Sequence, residues 1–184
     1  LALAATLSNE STAEAGFRAL RRVLNSRVAT ISSTVSDGPF HSDLLGSGDP
    51  IEVVGSMIWQ RLGSASAADR WRAGHSMRCL AKFGRWDVIG GIVGKFGAVT
   101  AGSFQAPELP FYFLHARLWL LISLARIAKD FPKNIAAFCD LLFGVATNSR
   151  FPHVLFRHFA SEALVACHDG GGLELTAEQL VELR

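Results

Sequence analysis

Apolar side chains recur along the chain at the spacing of helix turns, and one such pattern returns three times. Leu80, Leu124 and Leu164 each lie in an apolar segment of helical period that a second amphipathic segment follows. These leucines are 44 and 40 residues apart, which is the range of repeats built from two packed helices. The pattern predicts an all-α chain, arranged as an α-solenoid of about four antiparallel helix pairs.

Turn and capping residues between the apolar segments set the predicted helix boundaries. A first helix is predicted over residues 11 to 26, where Ser11 and Glu14 have the spacing of a capping box. Residues 27 to 48 are rich in Ser, Thr, Gly, Asp and Pro, and they predict an irregular surface loop. Further helices are predicted over residues 50–62, 66–83, 86–96, 111–129, 132–146 and 153–168 and from residue 176 onward.

Three glycines interrupt the predicted helix 86–96. Gly90, Gly91 and Gly94 each lower helix propensity by about 1 kcal/mol relative to Ala. Their presence in a helix is explained if they allow a neighbouring helix to approach closely, and we expect that packing here. The same stretch, GGIVGKF, has the letters of a phosphate-binding loop. However, Ile89 stands where the first glycine of that motif belongs and Phe96 where Ser or Thr would bind magnesium, so a packing helix is favoured.

Length and composition favour a single helical-repeat domain over residues 1–184, cut from a larger protein. Hydrophobic residues make up 49% of the chain and the mean hydropathy is +0.27, which favours helices buried on two sides or end faces that something else covers. Both ends have the pattern of a helix in progress, and neither carries the polar capping repeat with which solenoids finish.

The sequence favours a cytoplasmic protein without a membrane segment. The longest apolar block, Leu118 to Ala125, is bounded by arginines and is shorter than the ~20 residues that a membrane-spanning helix needs. It is better explained as a central buried helix. The odd number of cysteines, Cys79, Cys139 and Cys167, in apolar helical contexts predicts buried free thiols in a reducing compartment.

The candidate binding site is a basic stripe headed by a tryptophan. Trp71, His75, Arg78, Lys82 and Arg85 follow one another at helical spacing, so they could meet an acidic partner or phosphates. Cations at the end of a helix also complement its dipole, which explains part of the stripe without a ligand. The formal net charge is only +2, so a protein partner or adjacent domains of the parent chain are favoured over nucleic acid.

No catalytic or cofactor motif is recognisable, so we expect a protein that is not an enzyme and needs no cofactor. His158 and Glu162 are four residues apart and share a helix face, which is a spacing that metal ligands use. His153 precedes His158 by five residues, and that step turns ~140° around a helix. A three-ligand metal site is therefore not predicted.

The segment RWRAGHSMRCLAKFGRWDVIGGIVGKF, residues 70–96, resembles HEAT-like repeats of large bacterial proteins. It is similar to the helical sensor regions attached to STAND or NACHT-type nucleotide-binding signalling proteins, and the resemblance covers roughly residues 67 to 168. The resemblance implies a HEAT or armadillo-like scaffold or recognition module of a signalling or defence NTPase. It also implies that the nucleotide-binding and effector chemistry lies outside this chain.

Two other functions remain open. Some HEAT-like DNA glycosylases line a concave basic face with tryptophans and an aspartate, and Trp86 and Asp87 are residues of those types. If Arg78, Lys82, Arg85 and the tryptophans share one face, a nucleic-acid-binding function gains support. A small all-α enzyme or ligand-binding domain would instead require an enclosed polar pocket with a perturbed titratable group.

Overall fold

The computed structural model describes residues 18, 22, 49–102 and 109–183. The chain divides into two compact units, Leu1–Pro39 and Phe40–Arg184. Arg18 and Arg22 have helical backbone, while the rest of the predicted helix 11–26 and the whole predicted loop 27–48 lie outside the described residues. Within the described ranges the elements are helices and turns, with no strand, so the all-α prediction is confirmed.

The helices of the second unit begin and end within one or two residues of the predicted boundaries, except that a 3₁₀ turn divides the predicted helix 132–146 into two helices. They are α1 (Pro50–Leu62), α2 (Ala67–Lys82), α3 (Trp86–Gly94), α4 (Phe111–Asp130), α5 (Pro132–Ile135), α6 (Cys139–Ala146), α7 (Val154–Asp169) and α8 (Ala177–Leu183). Two 3₁₀ turns complete them: Lys95–Gly97 extends α3, and Ala136–Phe138 joins α5 to α6.

Side-chain caps explain why the sequence predicted these boundaries well. The Asp49 carboxylate accepts a hydrogen bond from the Ile51 N–H at 3.1 Å, and Pro50 occupies the first turn of α1. Before α8, Thr176 and Gln179 form a capping box, in which each side chain accepts from the other residue's N–H at 3.2 and 3.0 Å. These bonds satisfy amides that a helix start leaves without an intrahelical acceptor.

Helix α4 is the centre of the core. It packs against both α2 and α7, and α1 contacts it as well. Its residues Leu120, Leu121, Leu124 and Ile127 are fully buried. The long apolar helix was therefore correctly predicted to be central and buried, because its neighbours cover it from several directions.

The recurrent leucines occupy similar but not identical positions. Leu124 and Leu164 are fully buried, whereas Leu80 is only partly buried against the core. Leu80 lies in the last turn of α2, and Met77 and Ala81 of the same helix take the positions that are buried in the core. Burial of the recurrent leucine is therefore complete at the second and third repeats and partial at the first.

Helix α4 also has the length and composition of a membrane-spanning helix. It is 20 residues long, and an 18-residue window within it has a mean hydropathy of 1.3. Half of that window is buried inside the fold. The polar side chain of Arg117, in its second turn, donates to the carbonyl oxygens of Phe96 and Ala98 at 2.7 and 3.1 Å. Helix α4 is apolar because it packs on α2 and α7 as the core helix of this unit.

The glycines of α3 do not serve the purpose that the sequence suggested. A Cβ atom added at Gly90, Gly91 or Gly94 would meet nothing within 4 Å. The expectation of close helix packing there was wrong, because α3 packs on α1 with its opposite side, where Ile89 and Ile92 are buried. The three glycines instead leave a smooth, open face.

Close approach occurs at other glycines. A Cβ at Gly63, just after α1, would lie 2.6 Å from the Cβ of Ala101 and 2.7 Å from the carbonyl oxygen of Tyr112. A Cβ at Gly74, in the middle of α2, would lie 3.0 Å from the Ser123 hydroxyl of α4. Small residues at these two positions set how closely α1 and α2 approach their neighbours.

Candidate functional site

Four of the five predicted site residues lie on one exposed side of α2. Trp71, His75, Arg78 and Lys82 are all exposed, and they succeed one another by one helical turn. The fifth, Arg85, falls outside this helix, because α2 ends at Lys82 and the chain then turns. Gly84 makes that turn with a φ of 69°, a conformation that favours glycine. The helical register of the stripe therefore ends before Arg85.

Arg85 is engaged by its own neighbour. Its Nε and Nη2 donate to the two carboxylate oxygens of Asp87 at 3.0 and 2.8 Å. This paired hydrogen bond raises the pKa of the Arg85 guanidinium and lowers the pKa of the Asp87 carboxyl. A fork-shaped pair of this kind leaves Arg85 less available to a ligand than the sequence implied.

Arg78 bridges α2 to the end of α4. Its Nε and Nη2 donate to the same Oδ2 atom of Asp130 at 3.1 and 2.6 Å, and both side chains are partly exposed. An ion pair in this setting contributes about 0–1 kcal/mol to stability. Its greater effect is to hold the Arg78 side chain against α4.

Aromatic rings and guanidinium groups alternate across the α2–α4 contact. The Arg126 guanidinium carbon lies 4.5 Å from the Trp71 ring centroid, and Trp71 meets Trp119 edge-on with 6.2 Å between centroids. On the far side, Arg70 lies over the Trp119 ring at 5.7 Å. We call these four residues, Arg126, Trp71, Trp119 and Arg70, the cation–aromatic ladder. Because each helix supplies one arginine and one tryptophan, the ladder ties α2 to α4 at the surface.

A small cleft opens beside the ladder. It has a volume of about 30 Å³ and is lined by residues of α2 and α4: Trp71, Gly74, His75, Arg78, Trp119, Ile122, Ser123 and Arg126. Gly74 supplies no side chain to the cleft, and the Ser123 hydroxyl donates to the Trp119 carbonyl oxygen at 2.7 Å. The mouth of the cleft is therefore aromatic and cationic, and its floor is small and neutral.

The sequence did not identify the contribution of α4. The stripe predicted from helical spacing included neither Arg126 nor Trp119. The repeat pattern could have pointed to these two residues. The offset that aligns Leu80 with Leu124 also aligns Lys82 with Arg126 and His75 with Trp119. Cationic and aromatic residues thus recur at matching positions of two repeats.

The other two tryptophans lie elsewhere. Trp59 is fully buried in the core, and its indole N–H donates to the carbonyl oxygen of Thr100 at 3.1 Å. Trp86 is partly buried and packs edge-on against Phe131, with 5.6 Å between centroids. The four tryptophans therefore do not line one surface, which weakens the comparison with HEAT-like glycosylases.

A second, larger groove lies where α4, α7 and α8 meet. It measures about 660 Å³ and includes the ion pair between Lys129 Nζ and Glu162 Oε1, 2.7 Å apart. His158 Nε2 stands 4.0 Å from the same carboxylate, but His153 faces away and caps α7 by accepting from the Phe156 N–H. Across the described part of the chain, no three His, Cys, Asp or Glu side chains gather as a metal ion would require.

Two titratable groups, the half-buried His115 and the buried Cys167, belong to the packing. Burial, together with the nearby charge of Arg70, lowers the pKa of His115, whose Nδ1 has no hydrogen-bond partner among the described residues. Burial raises the pKa of the Cys167 thiol to about 11. The prediction of buried free thiols fits Cys167 and holds in part for Cys139, which is half-buried, but it was wrong for Cys79, because the exposed side of α2 carries it.

No protein-family model matches the chain, and neither a curated protein nor a solved structure is significantly similar to it. The resemblance to HEAT-like repeats therefore stays a prediction from the sequence. The case for a function rests on the surface that α2 and α4 form together.

Proposed function

We propose that this chain is a non-enzymatic recognition module, a segment of an α-solenoid that binds a protein partner or positions neighbouring domains. The order of the helices supports a solenoid, because α2, α4 and α7 are the predicted first helices of successive pairs and pack side by side in that order. Stacked helix pairs build an extended surface suited to large ligands.

The observation that carries the proposal is the exposed tryptophan of the cation–aromatic ladder. Trp71 is 43% exposed, although Arg126 covers one face of its ring and Trp119 and His75 meet it edge-on. Tryptophan and arginine are the residue types most enriched among the residues that dominate binding energy in protein interfaces. A ring that its neighbours already hold in place loses little conformational freedom when a partner binds.

We further propose that the chain belongs to the sensor region of a larger bacterial signalling or defence NTPase that acts in the cytoplasm. The resemblance of residues 70–96 to helical sensor regions supports this assignment. In such a protein the nucleotide chemistry belongs to another domain. This segment would contribute recognition, which agrees with a surface built from aromatic and cationic side chains.

Nucleic-acid binding is the weaker alternative. Two of the arginines that would meet phosphates, Arg78 and Arg85, already donate to carboxylates. Arg126 covers one face of Trp71, and a base could not stack on that face without displacing it. These contacts favour a protein ligand over a nucleic acid at this surface.

Site-specific photo-crosslinking tests the proposal. A benzoylphenylalanine replaces His75, which lies at the mouth of the cleft, and in a control protein it replaces the exposed Arg150 between α6 and α7. We expect irradiation in cells to give one discrete protein adduct, or one intramolecular adduct with a neighbouring domain, from position 75 only. The same adducts from both positions, or an adduct with nucleic acid, would overturn the proposal.

A further inference from the structure

We propose that the cleft between α2 and α4 takes one carboxylate group of an acidic partner segment, which Arg126 binds in front of Trp71. This inference rests on the proposed recognition function and names the chemistry of its ligand. The cleft combines a guanidinium that pairs with no carboxylate in the described part of the chain, an aromatic wall and a space of small volume, and each feature restricts what can bind.

The balance of charge at the cleft is positive. Of the two arginines that line it, Arg78 is neutralised by Asp130, whereas Arg126 has no carboxylate within ion-pair distance among the described residues. The imidazole of His75 adds a further nitrogen-bearing group at the mouth. The surface therefore lacks the negative charge that would balance it, and an acidic partner would supply that charge.

The position of Arg126 suits a carboxylate. A guanidinium that lies over an aromatic ring keeps its N–H groups free at its edge, because they point within its own plane. Two of those groups match the two oxygens of a carboxylate, and such forked pairs are among the stronger hydrogen bonds in proteins. The Trp71 ring also excludes water from one side of the guanidinium, at 4.5 Å from its carbon.

The volume of the cleft limits the ligand to a small group. Its volume of about 30 Å³ suits a single small group, since a cavity needs roughly 10–15 Å³ to hold one water molecule. A carboxylate oxygen can enter a space of this size. The space exists because position 74 is glycine, and a Cβ there would lie 3.0 Å from the Ser123 hydroxyl.

Fluorescence anisotropy of labelled oligomers tests this inference on the full chain. The probes are fluorescein-labelled octaglutamate, octaglutamine and octathymidylate, and the variants are Arg126→Gln, Arg126→Lys and the control Arg150→Gln. We expect octaglutamate to bind and octaglutamine not to bind. Arg126→Gln should weaken the binding of octaglutamate about tenfold, since a charged hydrogen bond is lost, while Arg150→Gln should change it less than about twofold.

The Arg126→Lys variant separates the forked guanidinium from simple charge. It keeps the positive charge but loses the planar fork, so octaglutamate should bind it more weakly than the wild type and more strongly than Arg126→Gln. Unchanged helical circular dichroism in all three variants shows that folding is preserved. Equal effects of Arg126→Gln and Arg150→Gln would show that octaglutamate binds through nonspecific charge attraction and would overturn the inference.

The remaining outcomes are also decisive. Tighter binding of octathymidylate than of octaglutamate, with the same dependence on Arg126, would assign the cleft to nucleic acid and overturn both proposals. Absence of octaglutamate binding, while position 75 still crosslinks to a protein partner, would overturn the acidic ligand and leave the recognition function standing. The two proposals can thus fail separately.

Discussion

The guanidinium of Arg126 lies over the indole of Trp71, with 4.5 Å between its carbon and the ring centroid, so α4 supplies the cation and α2 the aromatic ring. The contact sits at the surface end of the α2–α4 interface and continues inward through Trp119. One pair of residues therefore serves both the packing of two helices and the proposed binding surface.

A double-mutant cycle measures the strength of this contact. Urea unfolding of Trp71→Ala, Arg126→Ala and the double variant should give a coupling free energy of about 0.5–1 kcal/mol, because an exposed cation–π contact is worth that much. The control cycle pairs Trp71→Ala with Arg150→Ala, whose side chain lies beyond α6. Those two changes should be additive, and equal coupling in both cycles would contradict the contact.

Asp130→Asn tests how Arg78 is held. The change removes the charge that Arg78 Nη2 meets at 2.6 Å. Because the pair is partly exposed, the free energy of unfolding should fall by no more than about 1 kcal/mol. The affinity for octaglutamate should rise, since Arg78 is then free to add its charge at the cleft. A lower affinity in anisotropy titrations would show that Asp130 itself supports the binding surface.

The glycines provide a matched pair of stability predictions. Gly63→Ala places a Cβ 2.6 Å from Ala101 and 2.7 Å from the Tyr112 carbonyl oxygen, so overpacking should lower stability by about 1–3 kcal/mol. Gly91→Ala in α3 meets nothing within 4 Å and should raise stability by up to about 1 kcal/mol through helix propensity. Thermal unfolding of both variants checks the signs, and a stabilising Gly63→Ala would refute the packing described at that position.

The stability of the fold should depend on pH through His115. Burial lowers the pKa of this group below its ordinary value of 6.5, so the unfolded chain takes up a proton more readily than the folded one. The contribution is fully present above pH 6.5 and is lost as the pH falls below it. Urea unfolding between pH 7.5 and about 5 should show this loss, in line with the linkage between proton binding and folding.

His115→Gln isolates that contribution. The variant removes the titrating group, so its free energy of unfolding should decline less between pH 7.5 and about 5 than that of the wild type. The control Lys133→Gln changes an exposed charge at the start of α5 and should keep the wild-type slope. An identical slope in wild type and His115→Gln would mean that His115 is not the group responsible.

The helix boundaries could be predicted because they depend on local chemistry. Asp49 and Pro50 begin α1, and the pair Thr176 and Gln179 caps α8, through contacts within a few residues along the chain. The burial of Leu124 was predictable for a similar reason, since a 20-residue apolar helix must be covered on several sides.

The binding surface could be predicted only on one helix. Helical spacing placed Trp71, His75 and Arg78 on one side of α2, but it could not show that Arg126 of α4 covers the Trp71 ring. That contact depends on how two helices pack, as does the open face left by Gly90 and its neighbours. Such pairings arise from tertiary structure, which the period of a single helix does not encode.

The most direct test of the recognition function is the affinity for the partner that crosslinks to position 75, measured by isothermal titration calorimetry. Trp71→Ala should weaken the binding at least about tenfold, because an exposed tryptophan at the centre of an interface is a dominant contributor to binding. The control Arg150→Ala should leave the affinity within about twofold, as expected for a side chain outside the interface. Equal affinities of wild type, Trp71→Ala and Arg150→Ala would contradict recognition through the α2–α4 surface.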